Sequence, residues 1–286
     1  MTRVVELAYA KINLTLDVLR LRSDGYHDLD MVMQSVSLHD TVTLTRTERP
    51  GILLDTDQDN LPRDRNNLAV DAAHRLLEHL GRPDTGLSIH IEKRIPLCAG
   101  TAGGSSDAAA TLRGLNRLLG SPCTVQQLAS IGESVGSDVP YCVLGGTARA
   151  RKKGEVLQAL PPLPHCHILL CKPNFAVSTP WLFGRIDEIP PAFHPDTQGM
   201  LCALTSKDLQ AIAAKLHNVF EPALPKKQRL EISRIRTLLM EHGALGCAMS
   251  GTGPTVFGLF SDEDTAKKSQ RILQAQYREV FLTTPI

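Results

Sequence analysis

The feature that most limits what this chain can fold into is a run of small residues between a strand-like and a helix-like segment. The run covers residues 96–107 (PLCAGTAGGSSD) and contains three glycines and two serines. The alternating segment 87–91 precedes it, and the apolar pattern of 108–119 follows it. This order brings backbone N–H groups and the positive end of a helix dipole to one point. It therefore predicts a phosphate-binding loop in a protein that mixes strands and helices.

Two familiar phosphate loops do not match this run. The P-loop pattern requires a lysine directly after its last glycine, and none follows Gly104. The dinucleotide fingerprint G-x-G-x-x-G is also missing from the chain. An ordinary strand-to-helix turn is the alternative interpretation, but such a turn needs only one or two glycines. Four consecutive small residues, Gly103–Ser106, lose much conformational entropy when they become ordered, and this favours a ligand site.

Composition narrows the class of protein. The chain has 286 residues, 42% hydrophobic and 21% charged, which suits one large globular domain or two modest ones. A net charge of +1 predicts no general attraction to nucleic acid or to an anionic membrane. Seven cysteines without a CxxC pair predict reduced thiols. No segment reads as a signal peptide or a membrane span, so we expect a cytoplasmic protein.

Hydrophobic periodicity predicts a succession of strands and helices. We expect strands at 4–18 (one or two), 31–38, 41–45, 87–91, 167–171, 255–260 and 280–282. We expect helices at 68–80, 108–119, 124–135, 209–216, 230–242 and 265–276. The proline-dense stretch 160–164 is typical of a domain boundary. We therefore predict two α+β domains, 1–160 and 161–286.

Two charged residues stand in unusual surroundings. Lys11 lies in the apolar run before Ile12, so it is either an edge-strand cation or a buried ammonium group kept for function. Asn13 follows two residues later, on the same side of a strand. Asp138 is flanked by apolar residues and needs a partner, although an Asp in this position is also a common turn former. A Lys11–Asp138 pair beside a phosphate site would orient and deprotonate an attacking hydroxyl group.

Two further loops are candidates for ligand contacts. Residues 243–255 form a second small-residue segment before an apolar strand, which is either a hairpin turn or the other wall of the phosphate site. In the second case its backbone N–H groups and the hydroxyl of Ser250 or Thr252 would contact phosphate. The turn Asp24–His27 places an aromatic ring beside an imidazole. Such a pair suits stacking on a base and reading its edge, although a lone histidine is more often structural.

Taken in order, these motifs resemble the GHMP small-molecule kinase superfamily. The superfamily's three motifs match residues 10–14 (AKINL), 96–109 and 249–257. Sharper matches at 22–27 (RSDGYH), 65–69 (RNNLA), 136–140 (GSDVP) and 177–179 (VST) resemble one branch of it. That branch phosphorylates a cytidine diphosphate-linked methylerythritol in non-mevalonate isoprenoid precursor synthesis. The resemblance extends over essentially the whole chain.

The resemblance implies a two-domain GHMP kinase fold, with a ribosomal-protein-S5-like N-terminal domain and a ferredoxin-like C-terminal domain. It implies transfer of the ATP γ-phosphoryl group to the substrate's 2-hydroxyl, with Asp138 as the base and Lys11 as its partner. The expected substrate residues are Asn13, Tyr26, His27, Thr179 and Phe183. The expected ATP residues are Pro96, Gly100, Ala102, Gly103, Gly104, Ser105, Ser106, Ser250, Gly251, Thr252 and Gly253. Ser106 is the expected Mg²⁺ ligand, with Ser105 and Asp107 also within reach of the loop, and the expected assembly is a monomer or a homodimer.

The chain departs from the family pattern at three positions. Thr101 stands where the family usually has an apolar residue, Asp107 where many members have Asn, and Trp181 is bulky for its place between Thr179 and Phe183. An anion at Asp107 would repel phosphate, although an acidic residue near a helix N-terminus is favourable to the dipole.

Two other functions fit parts of the pattern. One is a GHMP kinase for another alcohol, such as mevalonate or homoserine; the Tyr26–His27 turn argues against it, because those acceptors carry no base. The other is a non-catalytic paralogue that binds nucleotide and acts as a regulator or scaffold. The presence of both Lys11 and Asp138 argues against this second alternative.

Overall fold

A computed structural model describes residues 2–286 of the chain. Its strands are β1 (Arg3–Leu21), β2 (His27–Thr47), β3 (Gly51–Thr56), β4 (Gly86–Glu92), β5 (Thr147–Lys152), β6 (Val156–Ala159), β7 (His167–Lys172), β8 (His217–Asn218), β9 (Gly246–Met249), β10 (Val256–Phe260) and β11 (Glu279–Thr283). Its helices are α1 (Leu68–His79), α2 (Gly103–Leu118), α3 (Val125–Glu133), α4 (Val139–Leu144), α5 (Thr179–Glu188), α6 (Thr197–Ser206), α7 (Leu209–Ala214), α8 (Lys226–Glu241) and α9 (Glu263–Gln274).

The chain forms two compact units, each assembled from several segments. The first contains the residues up to Ala10, His39–Ile95 and Ala102–Gly145. The second contains Lys11–Leu38, Pro96–Thr101 and Gly146–Ile286. Strands β1 and β2 contribute residues to both units. The predicted domain boundary after residue 160 stays a prediction.

The first unit packs helices against a small sheet. Strand β4 pairs antiparallel with residues 41–47 of β2 and parallel with β3. Leu87, Ile89 and Ile91 alternate along β4 and are at most 1% exposed, as one buried face of a strand requires. They join one hydrophobic cluster with the apolar faces of α1 and α2. This cluster fixes the start of α2 relative to the end of β4.

Helices α1 and α3 begin and end where the sequence predicts. The Asn67 side chain accepts a hydrogen bond from the Ala69 N–H and caps α1. Gly81 follows that helix with φ +63°, the left-handed conformation that glycine adopts at low cost. At α3, Thr124 and Gln127 form a reciprocal capping box.

The second unit contains a four-stranded antiparallel sheet in the order β11-β7-β10-β9. Along the chain its elements run β7, α8, β9, β10, α9, β11, with α5–α7 and β8 inserted after β7. This β-α-β-β-α-β succession is the ferredoxin-like arrangement. Strand β10 is buried along its whole length. In the same unit, β1 pairs parallel with β8, and β5 pairs antiparallel with β6 and with residues 29–34 of β2.

The predicted and observed elements differ most at two places, and the helix expected from Leu230 also begins earlier, at Lys226. The expected strands 31–38 and 41–45 are one continuous strand, β2, because His39 and Asp40 carry on the extended backbone without a turn. The helix expected from Ala108 begins at Gly103, so the small residues Gly103–Ser106 form its first turn. No helix within residues 2–286 is long and apolar enough to cross a membrane.

Candidate active site

One face of β1 is both polar and buried. Its alternate residues, none more than 5% exposed, are Lys11, Asn13, Thr15 and Asp17. Lys11 Nζ donates to Asn13 Oδ1 across 2.8 Å, and Asp17 Oδ1 lies 2.7 Å from His194 Nδ1. Burying polar groups is unfavourable unless they are paired, so this face does more than pack a core. Lys11 is thus buried, as the second interpretation requires, and its role in function stays a prediction.

The two small-residue loops of the second unit pack against each other. Ser250 Oγ donates to the Gly100 carbonyl across 3.0 Å, and the Thr255 N–H donates to the Ala99 carbonyl across 3.3 Å. A Cβ at Gly100 would lie 2.1 Å from the Ser250 carbonyl, and one at Gly251 would lie 2.7 Å from the Gly100 carbonyl. Glycine is therefore required at both positions. The loop after Met249 is also a hairpin, because Met249 and Val256 are paired across β9 and β10.

Helix α2 begins with exposed backbone donors. Ala102, at its N-cap, is left-handed (φ +58°), and its side chain makes no capping hydrogen bond. The first N–H groups of a helix have no intrahelical acceptor. Gly103, Gly104 and Ser105 therefore present donors to a ligand at the positive end of the helix dipole. The start of α2 thus offers the backbone N–H donors that the predicted anion site requires.

The Ser106 hydroxyl group links α2 to two neighbours. It is 1% exposed, donates to the Tyr9 carbonyl across 2.6 Å and lies 3.4 Å from Cys142 Sγ. Cys142 belongs to α4, and its N–H donates to the carbonyl of Asp138, one turn earlier. Asp138 is the half-buried N-cap residue of α4, has helical φ and ψ, and makes no side-chain capping bond. Its carboxyl group therefore does not cap α4.

An aromatic cluster surrounds His27. The imidazole ring lies 5.0 Å from the Phe183 ring at an interplanar angle of 31°, and Phe183 meets Phe220 edge-on at 4.9 Å. His27 Nε2 is 2.7 Å from Asp187 Oδ1. The neighbouring Tyr26 ring is 61% exposed, with Lys153 Nζ 5.2 Å from its centroid. His27 and Phe183, both predicted substrate residues, thus lie together although they are far apart in the chain.

The turn that carries these rings is held by charge pairs. The Arg22 N–H donates to the Tyr26 carbonyl, and the Gly25 N–H donates to the Arg22 carbonyl, with Gly25 at φ +81°. The Arg22 side chain donates to Asp24 and to Asp28, 3.0 Å and 2.9 Å away. The predicted turn at Asp24–Gly25 is confirmed, and Arg22 fixes its shape.

Two other predicted ligand residues meet at the surface. The hydroxyl groups of Thr179 and Thr252 lie 2.9 Å apart. Thr179 is the first residue of α5, after the N-cap Ser178, whose hydroxyl accepts from the Trp181 N–H. Pro96 is buried at the start of its loop, and Gly253 has φ +81° in the hairpin.

A buried charge cluster, Asp40–Lys93–Asp107, was not predicted. Lys93 Nζ lies 2.5 Å from a carboxyl oxygen of each aspartate, and the three side chains are 0–6% exposed. Asp40 also accepts the N–H groups of Arg94 and Ile95. Within residues 2–286, Asp107 Oδ1 has no hydrogen-bond partner. The expected repulsion between Asp107 and phosphate is therefore countered by a lysine at the end of β4.

This cluster makes the stability of the protein depend on pH. Burial, opposed by Lys93 and reinforced by Asp40, raises the pKa of Asp107 to about 8. An unfolded aspartate has a pKa of about 4, so the folded state binds this proton more tightly. The stability that this proton contributes is complete below pH ~4 and is lost as the pH rises through about 8.

Asp107→Asn removes this titration, so the variant is expected to gain stability relative to the parent between pH 6 and pH 9. Urea midpoints at both pH values measure the effect. The exposed Asp59→Asn is the matched control, and its midpoint should follow that of the parent. Parallel pH dependence of the parent and Asp107→Asn would contradict the assignment.

Several supporting residues escaped the sequence interpretation. Asn218 donates to the carbonyls of Met249 and Gly251, and Glu221 accepts the Met249 N–H. These bonds fix the second loop, as Phe220 and Asp187 fix the aromatic cluster. Each partner lies at least 28 residues away in sequence, so no local motif indicates it.

Comparison with known proteins places this architecture in a class. Residues 67–146 match the GHMP kinases N terminal domain, and residues 200–279 match the GHMP kinases C terminal domain. The chain is therefore a GHMP kinase, and the predicted two-domain fold is confirmed.

Relatives define the branch more narrowly. The chain is 44% identical to the 4-diphosphocytidyl-2-C-methyl-D-erythritol kinase of Exiguobacterium sibiricum over 99% of this chain and 97% of that one. It is 43% identical to the kinase of the same name from Lachnoclostridium phytofermentans, over 92% and 89%. A crystal structure of 4-(cytidine 5'-diphospho)-2C-methyl-D-erythritol kinase superposes with a TM-score of 0.82 at 32% identity, covering 99% of both chains. The chain belongs to the 4-diphosphocytidyl-2-C-methyl-D-erythritol kinase family, which confirms the predicted family and enzyme class.

Proposed function

We propose that this chain transfers the γ-phosphoryl group of ATP to the 2-hydroxyl of 4-diphosphocytidyl-2-C-methyl-D-erythritol. The observation that carries the substrate choice is the aromatic cluster, in which His27 lies 5.0 Å from the Phe183 ring beside the exposed face of Tyr26. A flat base suits such surroundings, whereas mevalonate and homoserine carry none. Cytosine is proposed to stack between Tyr26 and Phe183, with His27 at its edge.

The catalytic step needs a base and neutralisation of charge. Asp138 is proposed to take the proton of the 2-hydroxyl as its oxygen forms a bond to the γ-phosphorus. The bond from that phosphorus to the β-bridging oxygen breaks, and ADP leaves with the electron pair. Lys11, as the partner of Asp138, is proposed to support this ionised state, and Asn13, bonded to Lys11 Nζ, to hold the methylerythritol diol. Positioning and charge neutralisation account for most of the catalysis in phosphoryl transfer.

The nucleotide is proposed to bind at the small-residue loops. The free N–H groups of Gly103, Gly104 and Ser105 suit its phosphates. The hairpin of Ser250, Gly251, Thr252 and Gly253, together with Pro96, Gly100 and Ala102, is proposed to complete the ATP contacts. Thr179, hydrogen-bonded to Thr252, is proposed to contact the sugar and diphosphate of the substrate.

Magnesium is proposed to accompany ATP. This ion binds proteins through few oxygens and keeps substrate phosphates and water as its other ligands, so a single hydroxyl oxygen is a sufficient donor. Ser106 suits this role because its proton is directed to the Tyr9 carbonyl, which leaves lone pairs on its oxygen. When bound, the ion would neutralise phosphate charge.

The proposed partners are ATP and one small-molecule substrate. The protein is proposed to be a cytoplasmic monomer or homodimer that binds neither nucleic acid nor membrane.

The test is release of ADP from Mg-ATP with 4-diphosphocytidyl-2-C-methyl-D-erythritol, beside mevalonate and homoserine. Turnover with the cytidine compound alone supports the proposal. Turnover with one of the other alcohols instead would reassign the substrate. Measurable ATP binding without turnover on any of the three would favour the non-catalytic alternative.

Phe183→Ala is expected to raise KM for the cytidine substrate and to leave KM for ATP unchanged. Loss of one stacking partner costs about 1–3 kcal/mol, which is about 5- to 150-fold in affinity. Steady-state kinetics with each substrate varied in turn measure both constants. Phe193→Ala, at a ring that is 78% exposed, is the control and should change neither constant. An increase confined to KM for ATP would show that Phe183 does not belong to the base pocket.

A further inference from the structure

The contact between His27 and Asp187 determines how the imidazole ring can hydrogen-bond. Asp187 Oδ1 lies 2.7 Å from Nε2, and the side chains are 42% and 7% exposed, respectively. An ionised carboxylate only accepts hydrogen bonds, so Nε2 must carry a hydrogen and donate it. In a neutral imidazole ring the other nitrogen, Nδ1, then has a lone pair and accepts. The Asp187 contact therefore selects one of the two neutral tautomers.

The ring is also fixed in orientation. Phe183 lies against its face at 5.0 Å, and Phe220 packs edge-on against Phe183 at 4.9 Å. Phe220 is fully buried, so this stack rests on the core of the second unit. Within residues 2–286, the bond to Asp187 is the one side-chain hydrogen bond recorded for His27. The His27 ring is therefore held at its face by Phe183 and at Nε2 by Asp187, and its Nδ1 atom is the nitrogen that can bind a ligand.

The acceptor at Nδ1 distinguishes two classes of pyrimidine base. At position 4, cytosine carries an amino group that donates, whereas uracil and thymine carry a carbonyl oxygen that accepts. Nδ1 pairs with the amino group but faces a second acceptor in the carbonyl. We propose that Asp187, by fixing the tautomer of His27, makes the base pocket select a 4-amino pyrimidine over a 4-keto pyrimidine. This inference rests on the proposed function, because it takes the His27 cluster as the base site.

Asp187 is a positioning residue in this scheme, since it acts through His27 and not on the base. The contact also spans 160 residues of sequence and joins β2 to α5. Selectivity therefore depends on α5 being docked, and not on the Tyr26–His27 turn alone.

The test compares inhibition by cytidine diphosphate and by uridine diphosphate, each in competition with the cytidine substrate. The parent enzyme should show a lower inhibition constant for the cytidine compound. In Asp187→Ala this preference should fall by about tenfold, the net contribution of one hydrogen bond. Asp187→Asn should retain part of the preference, because its amide oxygen still accepts from Nε2. Glu188→Ala removes a carboxylate from the same helix end and should leave the preference intact.

A second measurement reads the tautomer without any turnover. Nitrogen NMR of imidazole-labelled enzyme, with His27→Gln to assign the signal, should give a protonated Nε2 and an unprotonated Nδ1 for His27. Two protonated nitrogens, a protonated Nδ1, or an equal loss of affinity for both diphosphates in Asp187→Ala would overturn the inference. If the parent shows the expected tautomer but does not turn over the cytidine substrate, the proposed function fails, and the selectivity fails with it. If the parent turns over that substrate with the other tautomer, the role of Asp187 alone is rejected.

Discussion

Asp138→Ala is expected to lower kcat for ADP formation by about 10²–10⁴-fold, the usual contribution of a general base in proton transfer. The dissociation constant of Mg-ATP should change little, because the proposed base acts on the acceptor alcohol and not on the nucleotide. Single-turnover kinetics with the cytidine substrate, beside calorimetric titration with ATP, separate the two effects.

The fold of the Asp138→Ala variant is checked by its urea midpoint beside that of the parent. Asp138 is the N-cap of α4, and its side chain makes no capping bond there. Asp138→Asn, which keeps the shape and removes the charge, should lose kcat to a similar extent. Ser137→Ala alters the exposed neighbouring residue and serves as the matched control. An unchanged kcat in either Asp138 variant would remove Asp138 from the catalytic step.

Local sequence signals predicted the elements whose ends are made by their own residues. Helix α1 is one case, since Asn67 caps its start, Gly81 follows its end, and its apolar residues repeat at helical spacing. Strand β7 is another, because its apolar run lies in a segment of six residues, a length typical of a buried strand and too short for most helices. The glycine-rich loop also carried its own signal, since only small residues allow the approach of backbone to backbone at Gly100.

Elements held by distant residues could not be predicted in the same way. Strand β2 passes through Asp40 without a turn because that carboxylate accepts the N–H groups of Arg94 and Ile95, more than fifty residues further on. Helix α5 contains Gly184, which lowers its intrinsic helix propensity, and it is stabilised by the burial of Leu182 and Ile186. Asp187, on the same helix, has no local feature that would indicate a partner at His27.

The same distinction applies to the candidate site. Lys11 and Asn13 were recognisable together because strand alternation alone puts them on one side. The charge cluster at Asp107 was not, because Lys93 reaches Asp107 only when the end of β4 is packed against the start of α2. From the sequence alone, Asp107 indicated an anion near phosphate. In the folded structure its carboxyl group is paired with Lys93.

Lys93→Met is expected to lower the free energy of unfolding by about 3–5 kcal/mol, the usual cost of removing one partner of a buried ion pair. Lys93 is the shared cation of Asp40 and Asp107, and all three side chains are at most 6% exposed. Its loss leaves two carboxyl groups close together without a counter-ion, although Asp40 keeps two backbone donors. Urea denaturation at pH 9, above the Asp107 pKa of about 8, measures the loss, with the exposed Lys227→Met as a control that should change stability by less than about 0.5 kcal/mol.

The double variant Lys93→Met with Asp107→Asn separates charge from shape. If uncompensated charge causes the loss, neutralising Asp107 in the Lys93→Met background should restore part of the stability, so the two substitutions will not be additive. If Lys93 acts only by filling space, the double variant will be at least as unstable as Lys93→Met. Because Asp107 is the fifth residue of α2 and Lys93 follows β4 directly, the same cluster also fixes the start of the proposed phosphate helix. The double variant should therefore recover affinity for ATP together with stability, and recovery of stability alone would separate the charge cluster from nucleotide binding.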